Sequence, residues 1–292
     1  MILYPNAKIN IGLKVLSRRE DGFHELETLF YPVGLADILE VVEGPELKIE
    51  QYGIGIPAVA GKDGLMNPEE NICMKAYRLL AADFDIPPVE IYLHKNIPVG
   101  AGLGGGSSDA AHTILAIDKL YNLNLTNSQM AQYASRLGSD CAFFIYNTPM
   151  MGRGRGEILT PYALDSLADY TIKLVHPPVF VSTADAYRGI VPRNILEHEH
   201  MASARESVLP DDAGSCRALP QQGQALLDKR PLEELLQQPV GKWRESVVND
   251  FETTVFAKYP LLAEYKQALY DQGAIYAAMS GSGSTMFGIF GR

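Results

Sequence analysis

The sequence predicts an α+β protein of two domains. Three observations carry this expectation. Strand-patterned runs group into an antiparallel-leaning sheet, capped helical stretches lie to one side of it, and composition shifts near residues 148–156. A chain of 292 residues is long enough for two medium domains with real cores. The expected division is 1–152 and 153–292, with no internal repeat.

Residues 1–16 alternate apolar and polar around Ile9, Ile11, Leu13 and Val15, the pattern of a half-buried strand. In such a strand Lys8, Asn10 and Gly12 share one face, and Ile9, Ile11 and Leu13 the other. That polar face reads equally well as a solvated edge or as part of a site. After a polar turn at 18–22, a second strand passes through Leu26, Thr28 and Phe30, and 38–42 and 47–51 read as further strands of the same sheet. Asn67 as N-cap and Pro68 at the first helical position predict a helix to about Ala82. A strand at 89–95 leads through a glycine-rich loop into a long helix ending at Leu120. Thr126-Asn127-Ser128 caps another helix, closed by Leu137-Gly138 with glycine as the C-cap. Farther on, 171–176 is a strand, 193–240 is polar and helical or loop-like with no assigned role, and 261–270 is a helix closed by Asp271-Gln272-Gly273. The chain closes as strand 274–279, glycine-serine turn 280–284 and strand 285–290.

A formal charge of −10 argues against a nucleic-acid or anionic-membrane surface, because both need a net basic face. An acidic protein that binds phosphate must use backbone amides and a few placed cations. Cys73, Cys141 and Cys216 are few and widely spaced, which suits reduced, buried thiols in a cytoplasmic protein. The opening M-I-L-Y-P-N-A-K has neither the basic start nor the long apolar run of a signal peptide or membrane anchor. The histidines show no ligand-like spacing with the cysteines, so no structural metal is expected.

The glycine-rich loop is the most informative segment. It runs Pro98, Val99, Gly100, Ala101, Gly102, Leu103, Gly104, Gly105, Gly106, Ser107, Ser108. Its five glycines let the main chain approach a ligand and let consecutive N–H groups turn onto one anion. The following helix adds first-turn donors and the positive end of its dipole. Either serine hydroxyl is placed to reach a phosphate oxygen or a Mg²⁺. The segment is no Walker A loop, since no lysine follows the glycines. Gly100, Gly102 and Gly105 match a dinucleotide fingerprint, but the acidic residue that should cap a second strand falls inside the helix as Asp118. Two further segments stand out. In L-G-S-D-C-A-F-F-I at 137–145, Asp140 precedes an apolar run, where a buried carboxylate needs a partner. In M-S-G-S-G-S-T at 279–285 a second glycine-serine loop reads as a hairpin or as the other half of a nucleotide pocket.

Taken in order, A-K-I-N-I-G-L at 7–13, the loop at 98–108, L-G-S-D at 137–140 and the loop at 280–285 resemble the motifs of the GHMP kinases, small-molecule kinases that use ATP. The resemblance spans essentially the whole chain. It implies an N-terminal domain like the second domain of ribosomal protein S5 and a ferredoxin-like C-terminal domain. R-R-E-D-G-F-H-E-L-E-T-L-F at 18–30 further resembles the branch of that family whose acceptor is a cytidyl-methylerythritol alcohol. Phe23 stands for a frequent tyrosine, and Cys141-Ala142 for a commoner Val-Pro.

What the resemblance implies is concrete. Asp140 would be the general base and Lys8 its electrostatic partner, with ATP as phosphoryl donor, Mg²⁺ beside it, and the loop from Pro98 to Ser108 holding the phosphates. Phosphorylating an alcohol needs its proton accepted as the O–P bond forms, and a carboxylate in hydrogen-bond reach does this. Phe23 and Tyr187 would sandwich the cytosine, His24 would read its edge, Asn10 would hold the methylerythritol hydroxyls and Thr183 the diphosphate. A homoserine- or mevalonate-type kinase and a catalytically silent metabolite sensor are the alternatives. The oligomeric state and the adenine pocket are not legible.

Overall fold

The computed structural model describes residues 1–54, 70–193 and 230–292. Its strands are β1 (Ile2–Leu3), β2 (Asn6–Arg18), β3 (His24–Ala36), β4 (Ile38–Glu43), β5 (Lys48–Gly53), β6 (Val89–Lys95), β7 (Met150–Gly154), β8 (Ile158–Pro161), β9 (Tyr170–Val175), β10 (Tyr276–Met279) and β11 (Met286–Gly291). Its helices are α1 (Ile72–Ala81), α2 (Gly105–Tyr121), α3 (Asn127–Ser135), α4 (Cys141–Tyr146), α5 (Thr183–Tyr187), α6 (Leu232–Leu236), α7 (Trp243–Ser246), α8 (Phe251–Lys258) and α9 (Pro260–Asp271).

Among the described residues the strands form three sheets, ordered β1-β4-β6-β5, β2-β3-β7-β8 and β10-β11-β9. Only β5 and β6 run parallel. The α+β expectation holds, but β4 and β5 do not extend the sheet of β2 and β3. Asp37 interrupts the chain between β3 and β4, and from there β4 pairs with β1 and β6. Helices α1–α4 bury their apolar faces on that sheet, where Leu39, Val41, Ile91 and Leu93 meet Leu80, Ile114, Ile117 and Phe143. A second core sets Ile9, Ile11 and Leu29 against Trp243, Tyr276 and Phe287; a third packs α8 and α9 on β10 and β11. The boundary expected after residue 152 falls inside β7. Its pairing with β3 and β8 carries the second sheet on to Pro161, so a division after Pro161 keeps every sheet whole.

Several ends differ from expectation for local reasons. Asn71, not Asn67, caps α1, its side chain accepting from the Cys73 N–H; Asn67 and Pro68 lie outside the described residues. Thr126 caps α3 as expected, in a reciprocal box with Gln129. That helix stops at Ser135 with Arg136 as its C-cap in ordinary helical geometry, so Gly138 belongs to the connection toward Asp140. Most of 193–240, with Cys216, lies outside the described residues. Among the described residues no helix is long and apolar enough to cross a membrane.

Candidate active site

β2 is buried along most of its length, so its polar face is no solvated edge: Lys8 is 4% and Asn10 2% exposed. An irregularity at Gly12 decides what that face presents. The register of β2 on β3 jumps between Ile11 and Leu13, and Gly12 takes φ +70°, as in a bulge. A Cβ on Gly12 would meet Leu232 Cδ1 at 2.7 Å, inside the core that holds Ile9 and Ile11. Leu13 consequently turns to the other side and lines the same cavity as Lys8 and Asn10, the reverse of strict alternation.

That cavity, of about 510 Å³, is where the expected residues converge. Lys8 Nζ donates to Asn10 Oδ1 at 2.6 Å and Gly102 O at 3.2 Å, and stands 3.4 Å from Asp140 Oδ2. Asn10 Nδ2 in turn donates to Thr28 Oγ1 at 3.0 Å, and Thr28 Oγ1 to Gly12 O at 2.6 Å, so the Asn10 amide is fixed from both ends. Asp140 occupies the N-cap position of α4 in helical geometry and its side chain caps nothing. Ser139 Oγ reaches its Oδ1 at 3.4 Å. A carboxylate spared from capping and faced by an ammonium is placed to accept a proton at the cavity floor.

The glycine loop closes one wall. Gly102 and Gly104 take φ of +78° and +70°, a region that L side chains resist. At Gly102 the reason is a close approach as well, because a Cβ would stand 2.2 Å from Ser280 O. The expected second loop is therefore packed on the first. Ser280 Oγ donates to Gly102 O at 2.9 Å and accepts from the Asn10 N–H at 3.3 Å; the Thr285 N–H reaches Ala101 O at 3.2 Å. The Lys8 N–H donates to Leu103 O at 3.0 Å. Of the loop, Gly100, Gly102, Gly104 and Ser107 line the cavity. Ser108 is buried, its hydroxyl turned on His112 at 3.4 Å, so only Ser107 of the pair faces the site.

Beside this cavity lies a second, of about 640 Å³, holding Phe23, His24 and Tyr187. Thr183 lines both, its hydroxyl 3.5 Å from Ser282 Oγ. Phe23 and Tyr187, the expected walls of a base sandwich, line this one cavity, and each ring has a flat partner of its own. His24 stacks on Tyr187 at 4.9 Å and 24°, Phe251 sets its ring at 77° to Tyr187, and the Arg155 guanidinium lies 4.8 Å from the Phe23 ring centre. The flat imidazole and the flat guanidinium each make a favourable face contact with one of these rings. Burial first, then the Asp140 charge, pushes the Tyr187 hydroxyl up to about 12. Burial first, then Arg18, holds the His24 imidazole below its usual range.

Three supporting features escaped the sequence reading. Asn249 Nδ2 donates to Met279 O and Gly281 O, both at 2.8 Å, and so holds the C-terminal loop in place. The Asn-Asp pair at 249–250, ahead of Phe251 and Val255 at helical spacing, is a helix-start signal and was the available clue. Phe251 and Arg155 carry no such signal. The third is a buried triad under the glycine loop. Lys95 Nζ donates to Asp37 Oδ2, and to Asp109 Oδ2 at 2.5 Å, while Asp37 Oδ1 accepts from the Asn96 and Ile97 N–H groups at 2.6 and 2.8 Å. The triad ties β6, the residue between β3 and β4, and the start of α2 together. Asp109 is the carboxylate in excess: burial foremost, against the pull of Lys95, pushes it up to about 7, and its Oδ1 has no hydrogen-bond partner. Lys95→Met leaves two buried carboxylates without a cation and is expected to lower stability by about 3–5 kcal/mol. Asp109→Asn keeps a one-to-one pair and should cost far less; equal shifts of the two denaturation midpoints would contradict this arrangement.

Residues 71–148 match the GHMP kinases N terminal domain and 231–292 the GHMP kinases C terminal. A 4-diphosphocytidyl-2-C-methyl-D-erythritol kinase of Bacteroides thetaiotaomicron is 42% identical, over 99% of this chain and 92% of the relative. One of Cytophaga hutchinsonii is 40% identical over the same shares. A crystal structure of 4-(cytidine 5'-diphospho)-2C-methyl-D-erythritol kinase superposes with a TM-score of 0.70 at 33% identity, covering 99% of this chain and 90% of that one. Mevalonate kinase of Methanococcus jannaschii, at TM-score 0.65 and 12% identity over 99% and 90%, shares the fold. With both domain types matched and full-length relatives at this identity, the chain belongs to the GHMP kinases.

Proposed function

We propose that this chain transfers the γ-phosphoryl group of ATP to the 2-hydroxyl of 4-diphosphocytidyl-2-C-methyl-D-erythritol, a step of the non-mevalonate route to isoprenoid precursors. The observation that carries the reading is the Lys8–Asp140 pair, 3.4 Å apart, facing the glycine loop in a cavity that adjoins an aromatic one. Asp140 accepts the hydroxyl proton, Asn10 orients the alcohol, and Lys8 offsets charge on the transferring group. The N–H groups of the loop and of the first turn of α2 hold the phosphates. Most of the acceleration then comes from in-line positioning and fixed charges.

Mg²⁺ is part of the proposal, and the residues present suit it. Among the described residues no three His, Cys, Asp or Glu side chains gather as a metal site. Magnesium on a nucleotide takes one or two protein oxygens and otherwise phosphates and water. Of the side chains that line the cavity, Asp140 brings the one carboxylate and Ser107 the one hydroxyl of the glycine loop, and these would hold the ion. Bound there, the ion would neutralise phosphate charge. A cytoplasmic setting, small-molecule partners and no nucleic-acid role complete the reading; Cys73 and Cys141 are buried free thiols, in keeping with a reducing compartment.

The relatives at 40–42% identity are named for an acceptor with a cytidine diphosphate arm, and the second cavity supplies rings suited to a base. A neutral His24 offers one donor and one acceptor to the cytosine edge. Homoserine and mevalonate have no base to stack. Comparing ADP release with the cytidyl alcohol, homoserine and mevalonate tests the choice, and turnover of either of the latter two in preference would overturn it. Phe23→Ala is expected to raise the acceptor KM about tenfold or more with little change in the ATP KM. At 53% exposure Phe23 is no core residue, so the melting temperature should hold. Equal rises in both KM values with a lower melting temperature would make Phe23 structural.

A further inference from the structure

Three phenylalanines line the cavity that holds Lys8 and Asp140, and they are not alike: Phe30 and Phe251 are buried, whereas Phe180 is 72% exposed. Phe180 sits on the connection between β9 and α5, which supplies four consecutive lining residues, Phe180, Val181, Ser182 and Thr183. That connection is held along its length. His176 Nδ1 lies 3.4 Å from Thr285 Oγ1, Pro177 and Pro178 fix two φ angles, and the Val179 N–H donates to Pro177 O at 2.7 Å. Val179 and Val181 pack into the third core, and Ser182 caps α5. With both neighbours packed inward, the Phe180 ring is left at the cavity mouth, against the glycine loop. Gly100 takes φ +69° there, and a Cβ on it would stand 2.9 Å from Phe180 Cε2. The ring thus meets the backbone of the loop directly.

We infer that Phe180 shields the transferring phosphoryl group from water, so that the acceptor hydroxyl and not water is the nucleophile that Asp140 serves. This rests on the phosphoryl-transfer reading above, but not on which alcohol accepts. A ring this exposed adds little buried area to the fold, yet it stands on a loop whose task is to hold phosphates. Folding does not account for it; water exclusion does. Asp140 by itself cannot choose its nucleophile, because a carboxylate that takes a proton from an alcohol takes one from water too. Water attack would form an O–P bond at the γ-phosphorus and break the bond from that phosphorus to the β–γ bridging oxygen. The water proton would pass to Asp140, and ADP and inorganic phosphate would leave. An apolar wall beside the reacting group suppresses this side reaction, and it strengthens the fixed charges of Lys8 and the loop amides by keeping bulk water off them.

The test follows ADP, inorganic phosphate and phosphorylated acceptor together in wild type, Phe180→Ala and Phe180→Leu. Wild type should form ADP and phosphorylated acceptor in equal amounts. Phe180→Ala is expected to release inorganic phosphate about tenfold faster without acceptor, and with acceptor to form more ADP than phosphorylated product. Phe180→Leu keeps an apolar side chain and should restore most of the coupling. Adding Asp140→Asn to Phe180→Ala should remove the extra phosphate, since water would use the same base. The exposed ring can be lost without unfolding the protein, so the melting temperature should hold. Unchanged phosphate release by Phe180→Ala would overturn the inference. Weaker ATP binding or a lower melting temperature without extra phosphate would also overturn it, showing that the ring only props the loop. Extra phosphate that survives Asp140→Asn would do the same by placing the hydrolysis elsewhere. If wild type prefers homoserine or mevalonate, the cytidyl-acceptor reading falls, while phosphate release without acceptor still decides the role of Phe180.

Discussion

Asp140→Asn is expected to lower kcat by about 10²–10⁴-fold while both KM values stay near those of the parent. The substitution keeps the shape of the side chain and an oxygen for Lys8, 3.4 Å away, so the site should keep its form. It removes the ability to take a proton as the new O–P bond forms. The side chain caps no helix and is part-exposed, so the melting temperature should move little. Lys8→Met gives the complementary result. Lys8 Nζ also holds Asn10 and the Gly102 carbonyl, so its loss should disturb the ATP KM as well as kcat. Steady-state kinetics on both variants separate the roles, and near-parental turnover by Asp140→Asn would remove Asp140 from the chemistry.

What could be read from the residues alone follows a physical line. Local signals were legible wherever one short segment carries the whole message. Strand β6, helix α2 and the glycine run between them announce themselves by alternation, by helical pattern and by missing side chains. Lys8 and Asn10 fall on one side of β2 by simple alternation. Alternation failed two residues later, because the bulge at Gly12 turns Leu13 to the cavity, and a lone glycine in a strand does not say which way the register slips. Sheet membership was not legible either. The patterns of β3 and β4 are alike, and only their distant partners, β2 and β7 against β1 and β6, assign them to different sheets. The Lys95–Asp37–Asp109 triad joins residues 58 apart in sequence with no local mark. The aromatic cavity was half legible. Phe23, His24 and Tyr187 do meet there, but the flat partners each ring takes depend on Arg155 and Phe251, which no motif singled out.

Gly104→Val should abolish measurable ATP affinity, a loss of about a hundredfold or more if several backbone hydrogen bonds to charged oxygens go together, in a protein that still folds. The backbone there has φ +70°, which a β-branched residue resists at about 1–3 kcal/mol. The added Cβ would meet the Phe144 ring at 3.0 Å and Lys8 Cε at 3.1 Å. Both neighbours are side-chain atoms that can give by a few tenths of an ångström, so the fold survives while the loop is forced from its conformation. Gly102 is different: a Cβ there runs into the Ser280 carbonyl at 2.2 Å, and no side-chain adjustment relieves a main-chain clash. Gly102→Val should therefore part the two glycine loops and lower the melting temperature as well. Displacement of Lys8 is the competing explanation for any effect of Gly104→Val, and Lys8→Met calibrates it. If the loop amides carry the phosphates, calorimetry will find ATP bound far more weakly by Gly104→Val than by Lys8→Met. If the two variants lose affinity equally, the loop serves only to place Lys8, and the phosphates are held elsewhere. Retained ATP affinity in a folded Gly104→Val protein would refute the cradle outright.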